Sequence, residues 1–193
     1  MALPKLDTPT YLLEQPSTGE MIKYRPFLVK EQKKLLLAQE SEDEDVMQNS
    51  LAEIIKDCTF DKIDPFNIPL FDVELFFLRI RGKSVGEQVE LSLLCPDDEE
   101  TRVKKTINLE DIDVIMKADH TNEIKITEKI KMVMRYPTLS DTLGFNNEVF
   151  DLFKMIQRCV YEIHDGDKIY HKVDMSEREL AEFIANLTND QFE

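Results

Sequence analysis

Only five glycines and three cysteines occur among 193 residues, and basic side chains are outnumbered by acidic ones, 24 against 39. Each shortage excludes something. With so few glycines, tight phosphate-cradling turns are poorly supplied, and neither a glycine-rich nucleotide loop nor a Gly-x-Ser-x-Gly elbow occurs. Cys58, Cys95 and Cys159 are odd in number and widely spaced, with no Cys-x-x-Cys pair. Free reduced thiols are therefore expected rather than a disulfide or a zinc site. Cys58 and Cys159 fall in line with helical apolar stripes and Cys95 ends an alternating strand, so all three are expected to be buried and unliganded. The formal net charge of −15 repels nucleic-acid phosphates and anionic lipid and suits a basic or neutral protein partner. No apolar run approaches membrane-spanning length, and Met1-Ala2-Leu3-Pro4-Lys5 lacks the apolar core of a secretory leader. A soluble, non-secreted protein is the expectation.

Apolar residues make up 42% of the chain, enough for a core, and the length fits one domain. Thr10–Leu13 and Met21–Tyr24 are β-prone runs around the turn-forming stretch Pro16-Ser17-Thr18-Gly19-Glu20, which predicts a hairpin. A helix follows over Lys30 to Gln39. The acidic run Glu40 to Asp45 then serves as linker and as the negative first turn of a second helix, whose stripe is Met47, Leu51, Ile54, Ile55 and Cys58. Past the turn-rich Asp64–Pro69, residues 69–82 read as a helix with Val73, Phe76, Phe77 and Ile80 on one side and Arg79, Arg81 and Lys83 near its end. From Gly86 the period changes to two. Val89, Leu91, Leu93 and Cys95 predict a half-buried strand, returning after the polar turn Pro96 to Glu100 as Thr101 to Leu109.

A second strand pair is expected at Glu123–Ile126 and Ile130–Tyr136. Val149, Phe153, Ile156 and Val160 predict an amphipathic helix. Asp165-Gly166 predicts a two-residue hairpin turn, and Ser176 with Glu179 a capping box opening a helix with the stripe Leu180, Phe183, Ile184 and Leu187. No internal repeat is visible. The fold class is α+β: an antiparallel sheet and hairpins flanked by amphipathic helices. A single domain over 1–193 is expected, with 1–28 an N-terminal hairpin arm and 147–193 a mostly helical C-terminal part.

Chemistry is scarce. With Asp165-Gly166 as the turn, His164 and His171 share a face but lie about 13 Å apart at roughly 3.3 Å per residue, too far for one ion. His120 is isolated. Glu42-Asp43-Glu44-Asp45 lacks the alternating ligands and central glycine of a calcium loop. With so many carboxylates, no particular acid–base pair stands out. No cofactor, metal, small-molecule substrate, nucleic acid or membrane is expected, and no enzyme activity. Phe76-Phe77-Leu78 and Leu93-Leu94 put apolar groups on both faces of their elements, which is either a two-sided core or a protein-docking patch.

One ordered string says more. Leu3-Pro4-Lys5-Leu6, then Pro16-Ser17-Thr18-Gly19-Glu20, then Lys23-Tyr24-Arg25-Pro26-Phe27-Leu28-Val29-Lys30-Glu31 resembles the start of the baseplate hub assembly proteins of T-even-like contractile-tailed bacteriophages. The resemblance continues more loosely through Val89–Pro96, Met134–Pro137 and Leu180–Leu187. It implies a small tail protein that helps build the baseplate central hub by binding other tail and hub proteins, chaperone-like, in the host cytoplasm. A permanent structural subunit of the virion hub is the alternative. A small cytosolic enzyme or host-directed regulator is a third reading. The family implies no catalytic residues, and it implies a further apolar helix beyond Gln191-Phe192-Glu193. Partner contact is expected at the hairpin residues Tyr11 and Tyr24 with Arg25 and Phe27, helped by Phe77, since aromatic anchors on short edge strands suit strand addition.

Overall fold

The computed structural model describes residues 6–97, 100–145 and 149–192. Leu3-Pro4-Lys5 of the opening string, Asp98-Glu99 of the polar turn and the side chain of Val149 lie outside that description. The elements are α-helices and small antiparallel sheets, an α+β fold. The chain groups into two compact units, residues 1–115 and 116–193, where the sequence is read as one domain.

In the first unit β1 (Tyr11–Glu14) and β2 (Met21–Tyr24) form the expected hairpin. Alternation sends Ile22 and Tyr24 inward, where Tyr11 and Leu13 join them. α1 (Val29–Glu40) opens with a capping box closed by Glu31. α2 (Glu44–Cys58) begins at Asp43, whose carboxylate accepts from the Asp45 and Val46 amides, with Glu44 and Asp45 against the helix dipole. α3 (Leu70–Val85) supplies Val73, Phe76 and Ile80 to the core, which also holds Ile54, Ile55, Cys58 and Ile63.

β3 (Gln88–Leu94) and β4 (Arg102–Asn108) pair as a separate two-stranded ribbon. The basic end of α3 holds its base. Arg79 donates to the carbonyls of Leu109 and Ile112, and Lys83 bonds Glu87 and Glu110.

In the second unit β5 (Glu123–Lys125), β6 (Ile130–Met134), β7 (Val160–Asp165) and β8 (Lys168–His171) make one four-stranded sheet. The expected second strand pair and final hairpin are thus halves of one sheet. α4 (Leu139–Thr142), α5 (Val149–Cys159), α6 (Glu177–Ala185) and α7 (Asn189–Phe192) complete the unit. Leu180 and Ile184 of α6 pack on Met132, Val160 and Ile163. Val160 corrects the sequence reading: it opens β7 instead of extending the α5 stripe, because the helix ends at Cys159 and the apolar side chain enters the same core from a strand.

The hairpin turn is also one residue later than expected. Asp165 pairs with Lys168, so Gly166-Asp167 forms the turn. Gly166 has φ +59 at its first position, the glycine placement of a type II′ turn.

A repeat that the sequence conceals emerges from the hydrogen bonds. After β2, the Arg25 amide donates to the Cys58 carbonyl at 3.0 Å; after β6, the Arg135 amide donates to the Cys159 carbonyl at 2.8 Å. The Arg25 guanidinium bonds the Pro26 carbonyl, the Asp57 carbonyl and Glu31. That of Arg135 bonds the Tyr136 carbonyl, the Arg158 carbonyl and Asp141. Each carboxylate lies six residues after its arginine and closes a capping box, on Leu28 and on Thr138. Later, Pro69 and Ser176 precede helices whose buried Val73 and Leu180 occupy the same turn. Each unit is therefore a hairpin, an arginine staple, a helix ending in cysteine and a core-packed helix.

Candidate partner interface

Of the five residues expected to touch a partner, two are inside. Tyr24 is 3% exposed, and Arg25 is buried against Cys58, the Asp57 carbonyl and Glu31. Glu31 is wholly buried and ion-paired to Arg25 at 2.9 Å. Burial opposes its ionised form, but the hydrogen bonds from Arg25, the Leu28 amide and Lys30 outweigh it and hold the carboxyl at about 2. Arg25 is thus a staple joining the hairpin's end to α1 and α2. Tyr11, Phe27 and Phe77 are half-buried around the same core. Tyr11 lies 5.6 Å from Tyr24, ring to ring, with the Lys83 ammonium 5.3 Å from its face. The Phe27 amide donates to Ser84 Oγ at 2.9 Å. The structure therefore gathers these residues at one end of the hairpin, with Tyr11, Phe27 and Phe77 partly open to solvent.

The turn of that hairpin is fixed too. Asp72, buried near the start of α3, accepts from Gln15 Nε2 at 2.8 Å, from the Ser17 amide and from the Ser17 hydroxyl. This network ties the Pro16–Gly19 turn to α3.

The largest departure from expectation is the ribbon. β3 reads in sequence as half-buried, yet nearly every residue of β3 and β4 is exposed. The register puts Val89, Leu91, Leu93, Val103, Lys105 and Ile107 on one face and Glu90, Ser92, Leu94, Arg102, Lys104 and Thr106 on the other. The first face is apolar but open: Leu93 is 45% and Val103 54% exposed. Lys105 sits in its middle with no ion pair among the described residues, whereas Lys104 on the other face pairs with Glu90 at 2.6 Å. Cys95, expected buried, is half-exposed at the end of the same strand, its thiol 3.9 Å from an Asp97 oxygen. Cys58 and Cys159 are buried as expected, and burial raises both thiols, Cys58 to about 11.

In the second unit the shifted turn brings the histidines together. Glu162 stands opposite His171 and two residues before His164, and its carboxylate meets His164 Nε2 at 2.9 Å and His171 Nδ1 at 3.0 Å. The 13 Å separation drawn from the sequence is therefore wrong, for it placed the turn one residue early. The two bonds, His164's foremost, hold the Glu162 carboxyl below its ordinary range. Among the described residues no group of three His, Cys, Asp or Glu is placed to hold a metal. His120 stacks on Tyr136 at 5.6 Å beside an open hollow of about 550 Å³, lined also by Ile124, Met134 and Tyr161. Arg135, on its wall, is committed to Asp141. The hollow presents mostly apolar and aromatic surface with Thr121 and Asn122 beside it, and no carboxylate lines it among the described residues.

Exposed apolar strand faces of this kind are characteristic of protein contact sites. A family model described as T4 bacteriophage base plate protein matches residues 8–193. The chain belongs to that family. The match takes in the Pro16–Glu20 and Lys23–Glu31 parts of the opening string, while Leu3–Leu6 precede it. No curated protein and no solved structure matches the chain. Among the described residues, no helix of this baseplate protein is long and apolar enough to cross a membrane.

Proposed function

We propose that this baseplate family member helps build the central hub by binding other tail proteins, chaperone-like, in the host cytoplasm during assembly. The observation that carries the reading is the β3–β4 ribbon, whose apolar face lies open in a chain of the baseplate family. Contiguous exposed apolar surface is characteristic of protein contact sites. The lone Lys105 on that face suits a partner surface that is apolar with a carboxylate. Tyr11, Phe27 and Phe77 add half-buried aromatic surface at the hairpin, with Tyr24 and Arg25 holding it in shape. No catalytic role is part of this reading.

Deleting the gene from the phage and examining tails by electron microscopy tests it, with baseplates lacking hubs as the expected result. Normal tails would refute it. Quantifying the protein in purified particles separates a chaperone from a permanent hub subunit: absence supports the first, fixed stoichiometry the second.

A further inference from the structure

We propose that the outer edge of β2 is a strand-docking site, filled in the baseplate by an extended segment of another tail protein that runs antiparallel to β2 and sets a carboxylate beside Lys23. The proposal deepens the hub-assembly reading and rests on it.

The two repeated units supply the reasoning. In an antiparallel pair, alternate residues bond across to the partner strand and those between point outward. The Gln15 amide bonds the Glu20 carbonyl at 2.8 Å, so the bonded pairs beyond it are Leu13–Ile22 and Tyr11–Tyr24. The N–H and C=O groups of Met21 and Lys23 therefore face away from β1. The Arg25 amide lies on that same outer edge and bonds Cys58.

In the second unit the corresponding edge is occupied. From Cys159 the chain runs directly into β7, which pairs along β6 with Glu162 opposite Val133 and His164 opposite Lys131. Counting back from the stapling arginines, Val133 and Lys131 stand where Lys23 and Met21 stand in the first unit. There the chain leaves differently. Past Cys58, Thr59 caps the helix and Phe60 and Asp61 take left-handed φ of +56 and +59, turning the backbone aside. No described residue pairs with the outer edge of β2. The place that β7 fills in one unit is open in the other.

The side chains around the opening define its occupant. Met21 is 57% exposed, Phe60 is exposed, and the Lys23 ammonium lies 6.0 Å from the Phe60 ring without an ion pair among the described residues. Backbone pairing would supply affinity, and an acidic residue facing Lys23 with an apolar one by Met21 would supply selectivity. A second copy of the chain fits poorly. Each copy carries −15, and antiparallel pairing of two four-residue strands would bring both Lys23 side chains onto one face of a short joint.

Lys23→Pro removes an outward N–H while leaving every β1–β2 bond in place, and Lys23→Glu reverses the charge. Both variants should melt as the wild type does, yet phage carrying either should form complete baseplates at least about tenfold less often. In the purified full chain the Lys23 amide should exchange with solvent about a hundredfold faster than that of Val133, its paired counterpart. Slow exchange at Lys23 would mean that the edge is already filled and would overturn the proposal. Normal assembly with both variants, beside failure of the deletion, would overturn the docking edge alone; normal assembly of the deletion would overturn the hub reading itself. If Lys23→Pro melts early, Lys23→Glu decides by the same criterion.

Discussion

Replacing Glu31 by Gln removes one charge from a pair that is closed to water, since its carboxylate is fully buried and Arg25 nearly so. The neutral amide can still accept from the Leu28 amide, so the helix start survives while the guanidinium loses its counter-charge. Two routes give the magnitude. A carboxyl held at about 2 instead of its ordinary 4.5 favours the folded, ionised form by about 3 kcal/mol. Breaking one side of a buried ion pair costs about 3–5 kcal/mol. At about 2–4 °C per kcal/mol for a chain of this size, Glu31→Gln should lower the melting temperature of the first unit by roughly 6–12 °C at pH 7. The sign with pH follows from the lowered carboxyl. Its stabilisation is complete above about 4.5 and drains away as pH falls towards 2, so the gap between wild type and variant should shrink to less than half its pH 7 value at pH 3. Urea titrations at the two pH values read it directly. A loss under about 1 kcal/mol at pH 7, or an equal loss at both pH values, would refute the staple as an energetic device. The matching variant Asp141→Asn should cost less, because Arg135 is far more exposed than Arg25.

The thiols should separate by reactivity: at pH 8 a maleimide labels Cys95 first, while Cys58, raised to about 11 by burial, and Cys159 react only on unfolding. Leu91→Glu with Leu93→Glu should change stability by no more than about 1 kcal/mol in chemical denaturation, both side chains being exposed, yet abolish hub assembly in complementation. Phe76→Ala should cost about 3–5 kcal/mol and unfold the first unit near 37 °C by circular dichroism, because Phe76 has no exposed surface and fills the core between hairpin and helices.

Much of the fold was legible because its signals are local. The β1–β2 hairpin, the acidic first turn of α2 and the Ser176–Glu179 box each rest on neighbours in sequence, and each stands where the residues predict. The ribbon shows the limit of such signals. Alternation at Val89, Leu91 and Leu93 identifies an apolar face but says nothing about whether another layer covers it. The final hairpin turned on a single choice, for Asp165-Gly166 and Gly166-Asp167 are both plausible turns, and only the second lets Glu162 meet two histidines. The repeat was hidden for a different reason. Its markers are an arginine, a carboxylate six residues on and a cysteine whose carbonyl does the work, so most of the recurring contacts belong to the backbone. Around them Pro26-Phe27 faces Tyr136-Pro137, Glu31 faces Asp141, and a whole hairpin separates Cys159 from α6. For the expected partner residues, the sequence placed Tyr24 and Arg25 at the end of the hairpin without showing that both turn inward, which the packing of α2 and α3 decides.

Two sequential stretches built to one plan also create a hazard while the chain is still folding. A hairpin released early can settle on the wrong pair of helices, and exchange of like segments between neighbouring molecules is a familiar route to tangled oligomers. Each staple is local. Glu31 reaches Arg25 through a side chain one methylene longer than Asp141, and Arg25 meets one carboxylate oxygen where Arg135 grips both. A carboxylate six residues from its arginine stays tied to the same hairpin, so each staple closes within its own unit whatever the order in which the helices arrive.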